Sequence, residues 1–111
     1  SRLMDYGTGE GFTDADHPAL ASQLFAAYAN ARRVRVLASV MGQEGLSDND
    51  RDYLAFGDAF EERLINQATA RTLEESMAIG WQILGLLAES ELTRLDNEQI
   101  IRYVRPEKAH A

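Results

Sequence analysis

Apolar residues recur at three- and four-residue steps from Leu20 to Met41, and no other feature constrains this chain as much. Leu20, Leu24, Ala27, Tyr28, Ala31, Leu37, Ala38 and Met41 return to one side of a helix with 3.6 residues per turn, and to neither face of a strand. The spacing predicts a long amphipathic helix, capped at its start by Thr13 or Asp14 and ending at Gly42. Pro18 falls in the first turn, where a missing N–H is tolerated.

The same period continues downstream. After the loop "GQEGLS", Ser47 is placed to cap a second helix, and Asp48 and Asp50 in its first turn suit the positive end of the helix dipole. Tyr53, Leu54, Gly57, Phe60 and Leu64 mark its apolar face, with Ile65 beside it. "NQATAR" reads as a loop. Thr72 and Glu75 form a capping-box signature that opens a third helix, from about Leu73 to Ala88, with Met77, Trp81, Leu84 and Leu87 inward. Ser90 or Asp96 starts a shorter helical stretch ending near Tyr103, and Pro106 closes it. No alternating run suggests a strand. The expected fold is all-α: a bundle of three main helices plus one or two short C-terminal helices over 13–105, with 106–111 a flexible tail. Leu24, Tyr28, Phe60, Trp81 and Leu84 are expected in one core.

Charge and composition narrow the function. Eleven Lys and Arg stand against eighteen Asp and Glu, a net charge of −7, which repels phosphate backbones and argues against nucleic-acid binding. No apolar run reaches the roughly 20 residues of a membrane span. The most apolar stretch, "MAIGWQILGLLA", is short and interrupted, so no membrane insertion is expected. The chain has no cysteine, which excludes thiolate metal sites and fits a reducing cytosol. No secretory signal is visible.

The motifs that could carry chemistry are weak. The glycine run "GTGEG" lacks the Lys-Ser/Thr pair of a phosphate loop and the strand that precedes a dinucleotide fingerprint, so it reads as a connector. His17 and His110 lie at opposite ends of the sequence, and Asp14, Asp16 and His17 cluster where a helix start favours acids anyway; no metal site is assigned. Glu61–Glu62 and Glu74–Glu75 are neighbours on helices and diverge by about 100°, which is wrong for an acid/base pair. "ARRVRV", with Arg32, Arg33 and Arg35, reads as a solvated face. No active site is expected in the chain alone. Two readings stay open, a free-standing helical adaptor binding a partner peptide and a piece of a larger protein. The absence of a Met at Ser1 leans the expectation toward the second.

The order of the segments "SRLM", "GTGEGFTDADH", "QLFAAYA", "GQEGLSDNDRDYLAFGDAFEERLINQ", "RTLEESMAIGWQILGLL" and "SELTRL" resembles the C-terminal helical domain of the non-catalytic B subunit of V/A-type rotary ATP synthases. The resemblance runs from Ser1 to about Tyr103. The family commonly has Arg in the slots of Asp14 and Ala15, Gly at Ala68 and Pro at Ala88; these turn and surface positions bear on loop shape. The resemblance implies that residues 1–12 are a linker from an upstream nucleotide-binding domain. It implies that Arg2 matches an arginine finger that acts in trans on the neighbouring catalytic A subunit. It also implies that the turn carrying Glu44, Asp48 and Asp50 faces the central shaft. The partners are then A subunits and shaft subunits of a cytoplasmic, membrane-peripheral sector. This domain would have no cofactor of its own, and ATP or ADP with Mg would belong to the whole complex.

Overall fold

The computed structural model describes residues 16–66 and 71–110. Its spine is α1 (Asp16–Met41), 26 residues long and therefore about 39 Å from end to end. A short 3-10 turn, Gln43–Gly45, leads to α2 (Asp48–Ala59), which widens without a break into a π-helical segment, Phe60–Ile65. Then come α3 (Leu73–Leu84), a 3-10 turn at Glu89–Glu91, and α4 (Asn97–Gln99), which continues as a second π-helical segment, Ile100–Val104. There is no strand among the described residues. The fold is all-α, as the periodicity requires.

The helix starts follow the local chemistry read from the sequence. At Ser47 and at Thr72 the side-chain oxygen accepts from the N–H three residues on, and Asp50 or Glu75 accepts in return from the cap N–H. Asp96 and Gln99 repeat the arrangement at α4. These reciprocal bonds satisfy donors that a helix start otherwise leaves orphaned.

The core lies where α1, α2, α3 and the C-terminal segments meet. Val34, Phe56, Trp81, Ile83, Leu84, Leu87 and Leu92 are fully buried. Trp81 stacks on Tyr103 at 4.4 Å between ring centroids, and Tyr28 stacks on Phe60 at 4.6 Å. Helices α1 and α2 come close together at Gly57: a Cβ there would meet the Ala31 Cβ at 3.0 Å and the Arg35 guanidinium at 3.2 Å.

Several expectations are corrected. Trp81 and Leu84 are central, but Leu24, Tyr28 and Phe60 are only partly buried and pack against the core's edge. The buried rings of α2 are Tyr53 and Phe56; Phe60, one helical turn beyond Phe56, opens the π-helical segment. Met41 is half exposed, at the end of α1 beyond its last buried residue, Val34. The third α-helix stops at Leu84, four residues short of Ala88, and single turns carry the chain on to Leu87. Ala88 has φ −64°, the angle that proline would fix. Residues Pro106–His110 wind into a 3-10 turn, and Lys108 Nζ lies 2.5 Å from Glu89.

Candidate functional site: an acidic turn at the far end of the long helix

Met41 is followed by Gly42 at φ +80°, a left-handed conformation that costs glycine nothing and other residues a clash at Cβ. Its N–H closes α1 by donating to the Ala38 carbonyl at 2.8 Å, and the chain reverses through Gln43–Gly45. Leu46 then dips into the core at 5% exposure. The turn is thus pinned by a glycine on one side and a buried leucine on the other, with its polar side chains outward.

The carboxylates of this turn have three different fates. Glu44 is exposed and makes no ion pair within 4 Å among the described residues. Asp48 is exposed, with Arg51 Nη1 at 3.4 Å; the same guanidinium donates to the Gln43 carbonyl at 3.1 Å. Asp50 turns back and accepts from the Ser47 N–H at 3.3 Å. From the sequence, all three are expected to be exposed, with little positive charge nearby before Arg51 and with capping by Ser47 and the acidic first turn as the alternative. In the structure capping claims Asp50 and Arg51 attends Asp48, so Glu44 and Asp48 form the outward-facing acid. Arg2, the remaining site residue named from the sequence, lies outside the described residues.

Behind the turn, α1 and α2 enclose an open cleft of about 610 Å³, lined among others by Arg35, Ser39, Gln43, Arg51 and Asp58. Arg35 is fully engaged there. Its Nη1 and Nη2 donate to the two oxygens of Glu61 at 2.6 and 3.1 Å, and Nη2 also reaches Asp58 at 3.0 Å. The Tyr28 hydroxyl donates to Glu61 as well. The Arg35 bonds first, and then the Tyr28 bond, hold the Glu61 carboxyl down at about 2. The bond to Glu61 is also the largest cause that raises the Tyr28 hydroxyl and the Arg35 guanidinium.

No sequence pattern announces this cluster. Tyr28 and Arg35 are seven residues apart, on one side of α1, a signal hidden while "ARRVRV" reads as one solvated face. Glu61 meets them from the first turn of the π-helical segment, whose wider turn leaves no mark in the apolar spacing.

The opposite end of α1 is closed. Asp16, 7% exposed, accepts from the Gln99 amide at 2.9 Å and from the Tyr103 hydroxyl at 2.5 Å. Two turns further along, the Gln23 side chain accepts from the Arg94 N–H at 2.7 Å and donates to the Glu91 carbonyl at 3.5 Å. The Tyr53 hydroxyl donates to the Glu91 carboxylate at 2.6 Å; burial, and then this bond, push that hydroxyl up to about 12. His17 is exposed and stands in no cluster of three or more His, Asp or Glu side chains among the described residues. No helix among them is long and apolar enough to cross a membrane.

Residues 6–104 match the family described as the C-terminal domain of V and A type ATP synthase. The chain is 48% identical over 107 residues to the V-type ATP synthase beta chain of Thermotoga neapolitana, covering 95% of this chain and 23% of that protein. It is 47% identical over 105 residues to the B subunit of the A-type ATP synthase of Methanopyrus kandleri, covering 93% of this chain and 11% of that protein. The chain therefore spans a quarter or less of the relatives it matches. A helical bundle closed at one end of its spine and open at an acidic turn is, by these matches, a member of the V/A-type ATP synthase C-terminal domain family.

Proposed function

We propose that this chain is the coupling domain of a non-catalytic B subunit, and that its acidic turn bears on the central shaft of a rotary ATP synthase. The observation that carries this is the turn itself. Gly42 and buried Leu46 hold it in shape at the end of a long helix, while Glu44 and Asp48 remain in water. Solvated carboxylates attract basic residues on an opposing surface only within about a Debye length, some 8 Å at physiological salt. Each such contact is worth about 0–1 kcal/mol. A surface held by a few weak, solvated attractions slides past its partner, whereas a desolvated pair would lock to it.

Further assignments follow from the resemblance. Arg2 would reach the catalytic site of a neighbouring A subunit, where a guanidinium bonds two phosphoryl oxygens and offsets developing charge. ATP or ADP with Mg would be bound by the complex, with no side chain of this domain assigned to it. The assembly would sit in the cytoplasm at the membrane periphery. The family match leaves the adaptor reading without support.

A disulfide cross-link gives a direct test. Glu44→Cys is introduced into the full-length subunit, and a cysteine is placed on the shaft of the assembled complex. Oxidation should link the two subunits and stop turnover, and reductant should restore it. Turn cysteines that link only to other neighbours, or an oxidised complex that keeps turning over, would contradict the assignment.

A further inference from the structure

One thioether lies across the acidic turn. Met41 ends α1 at 50% exposure. A Cβ built on Gly45 would meet the Met41 Cε at 2.8 Å, its Cγ at 3.5 Å and its Sδ at 3.8 Å. The Met41 side chain therefore fills the space that a side chain at position 45 would take. Leu46, the next residue, is buried in the core, so the turn has two apolar contacts, one of them open to water.

The backbone bonds of the turn are weak. The Gly45 N–H donates to the Gly42 carbonyl at 3.3 Å, and the Leu46 N–H donates to the Gln43 carbonyl at 3.2 Å. Both lie at the long end of the ordinary range, and a 3-10 segment has poorer hydrogen-bond geometry than an α-helix. The contact of Met41 with Gly45 adds to what these bonds supply.

That contact is chemically exposed. The methionines of the chain are Met4, Met41 and Met77. Met77 is buried, and Met4 lies outside the described residues. Among the described residues, Met41 is the thioether that an oxidant in water can reach. With a peroxide, a sulfur lone pair forms the S–O bond as the O–O bond breaks. The proton on the transferred oxygen passes to the released hydroxide, giving water. Sulfur loses two electrons and the peroxide gains them. The sulfoxide is polar and chiral, and its oxygen is an acceptor that water satisfies and an apolar contact does not.

We propose that Met41 is an oxidation site that sets how firmly the acidic turn is held. As the thioether it clasps Gly45; as the sulfoxide it turns to water and releases the turn. Reduction of the sulfoxide by a methionine sulfoxide reductase resets it. The effect on coupling rests on the reading of this turn as the shaft contact, but the clasp itself does not.

The test uses the full-length subunit, treated with hydrogen peroxide and mapped by mass spectrometry. Met41 should be oxidised about tenfold faster than buried Met77. Limited digestion with a glutamate-specific protease then reads the turn, because Glu44 is exposed within it. Cleavage after Glu44 should quicken about tenfold on oxidation, since proteolysis follows local opening. Met41→Leu keeps an apolar contact and cannot be oxidised, so peroxide should leave its cleavage rate unchanged. Met41→Gln should be cut rapidly without peroxide. Oxidation of Met41 no faster than that of Met77 would overturn the proposal. So would full oxidation of Met41 with no change in cleavage, or an equal change in Met41→Leu. Faster cleavage with unchanged shaft affinity would support the clasp and count against the shaft assignment, which separates the two.

Discussion

The two ends of α1 are built on opposite plans. At Asp16 the helix begins with its carboxylate buried and bonded to Gln99 and Tyr103, so the start of the spine and the last elements of the fold are one unit. About 39 Å away it ends in a turn whose outward acids are solvated and whose chain is held by a glycine and one buried leucine. The lesson is a division of labour: one end is specified by desolvated bonds that resist motion, and the other is left free of them. Buried polar bonds are costly to break because the surviving partner is stranded; exposed charges carry no such penalty. An end that must transmit position is expected to use the first kind, and an end that must slide is expected to use the second.

The largest expected effect lies outside the described residues. By the proposed reading, Arg2 acts on a neighbouring catalytic site. Arg2→Ala in the full-length subunit should lower turnover of the assembled complex by about 10³–10⁵-fold, with nucleotide binding affected far less. An assembled complex with near wild-type turnover would end that assignment.

Next comes the closed end itself. Tyr103→Phe keeps the stack on Trp81 and removes only the hydroxyl that Asp16 accepts from. Denaturant unfolding should show a loss of about 1–3 kcal/mol. A change within about 0.5 kcal/mol would mean that the two ends differ less than the geometry implies.

Midway along α1 the Arg35–Glu61–Tyr28 cluster predicts a pH signature. The Glu61 carboxyl is depressed from 4.5 to about 2. Its contribution to folding is therefore complete above about pH 4.5 and is lost as the pH falls from there toward 2. Titration of the side-chain carboxyl carbon by NMR should give a midpoint near 2 in the wild type and a rise toward the ordinary range in Arg35→Gln. A wild-type midpoint near 4.5 would show that the cluster is not formed in solution.

The ends also differ in how far the sequence reveals them. Ser47 and Thr72 stand out as caps, and Asp96 as one of two candidates with Ser90, because capping is a bond between residues three apart. The inward stripes of α1 and α3 are legible because burial and helical period coincide there. The bonds of Asp16, Gln23 and Tyr103 are not, since they join residues about seventy or more positions apart and no local pattern encodes them. The same blindness hides Phe56, which lies beside the stripe that Phe60 and Leu64 suggest. It also hides the end of α3 at Leu84, because Leu87 remains buried after the helix has stopped. At the turn, the residue types point to acid, but only the fold sorts the capping Asp50 from the outward Glu44 and Asp48.

The central claim is that the open end is a solvated, sliding contact with the shaft. Its most direct test is the affinity of the full-length subunit for the shaft at low and high salt, measured with wild type and with Glu44→Gln plus Asp48→Asn. The double variant should keep its folding stability within about 0.5 kcal/mol. It should bind the shaft more weakly than wild type at low salt and converge with it at high salt, because screening removes what the mutation removes. Equal affinity at both salts would reduce the acidic turn to a helix cap and contradict the claim.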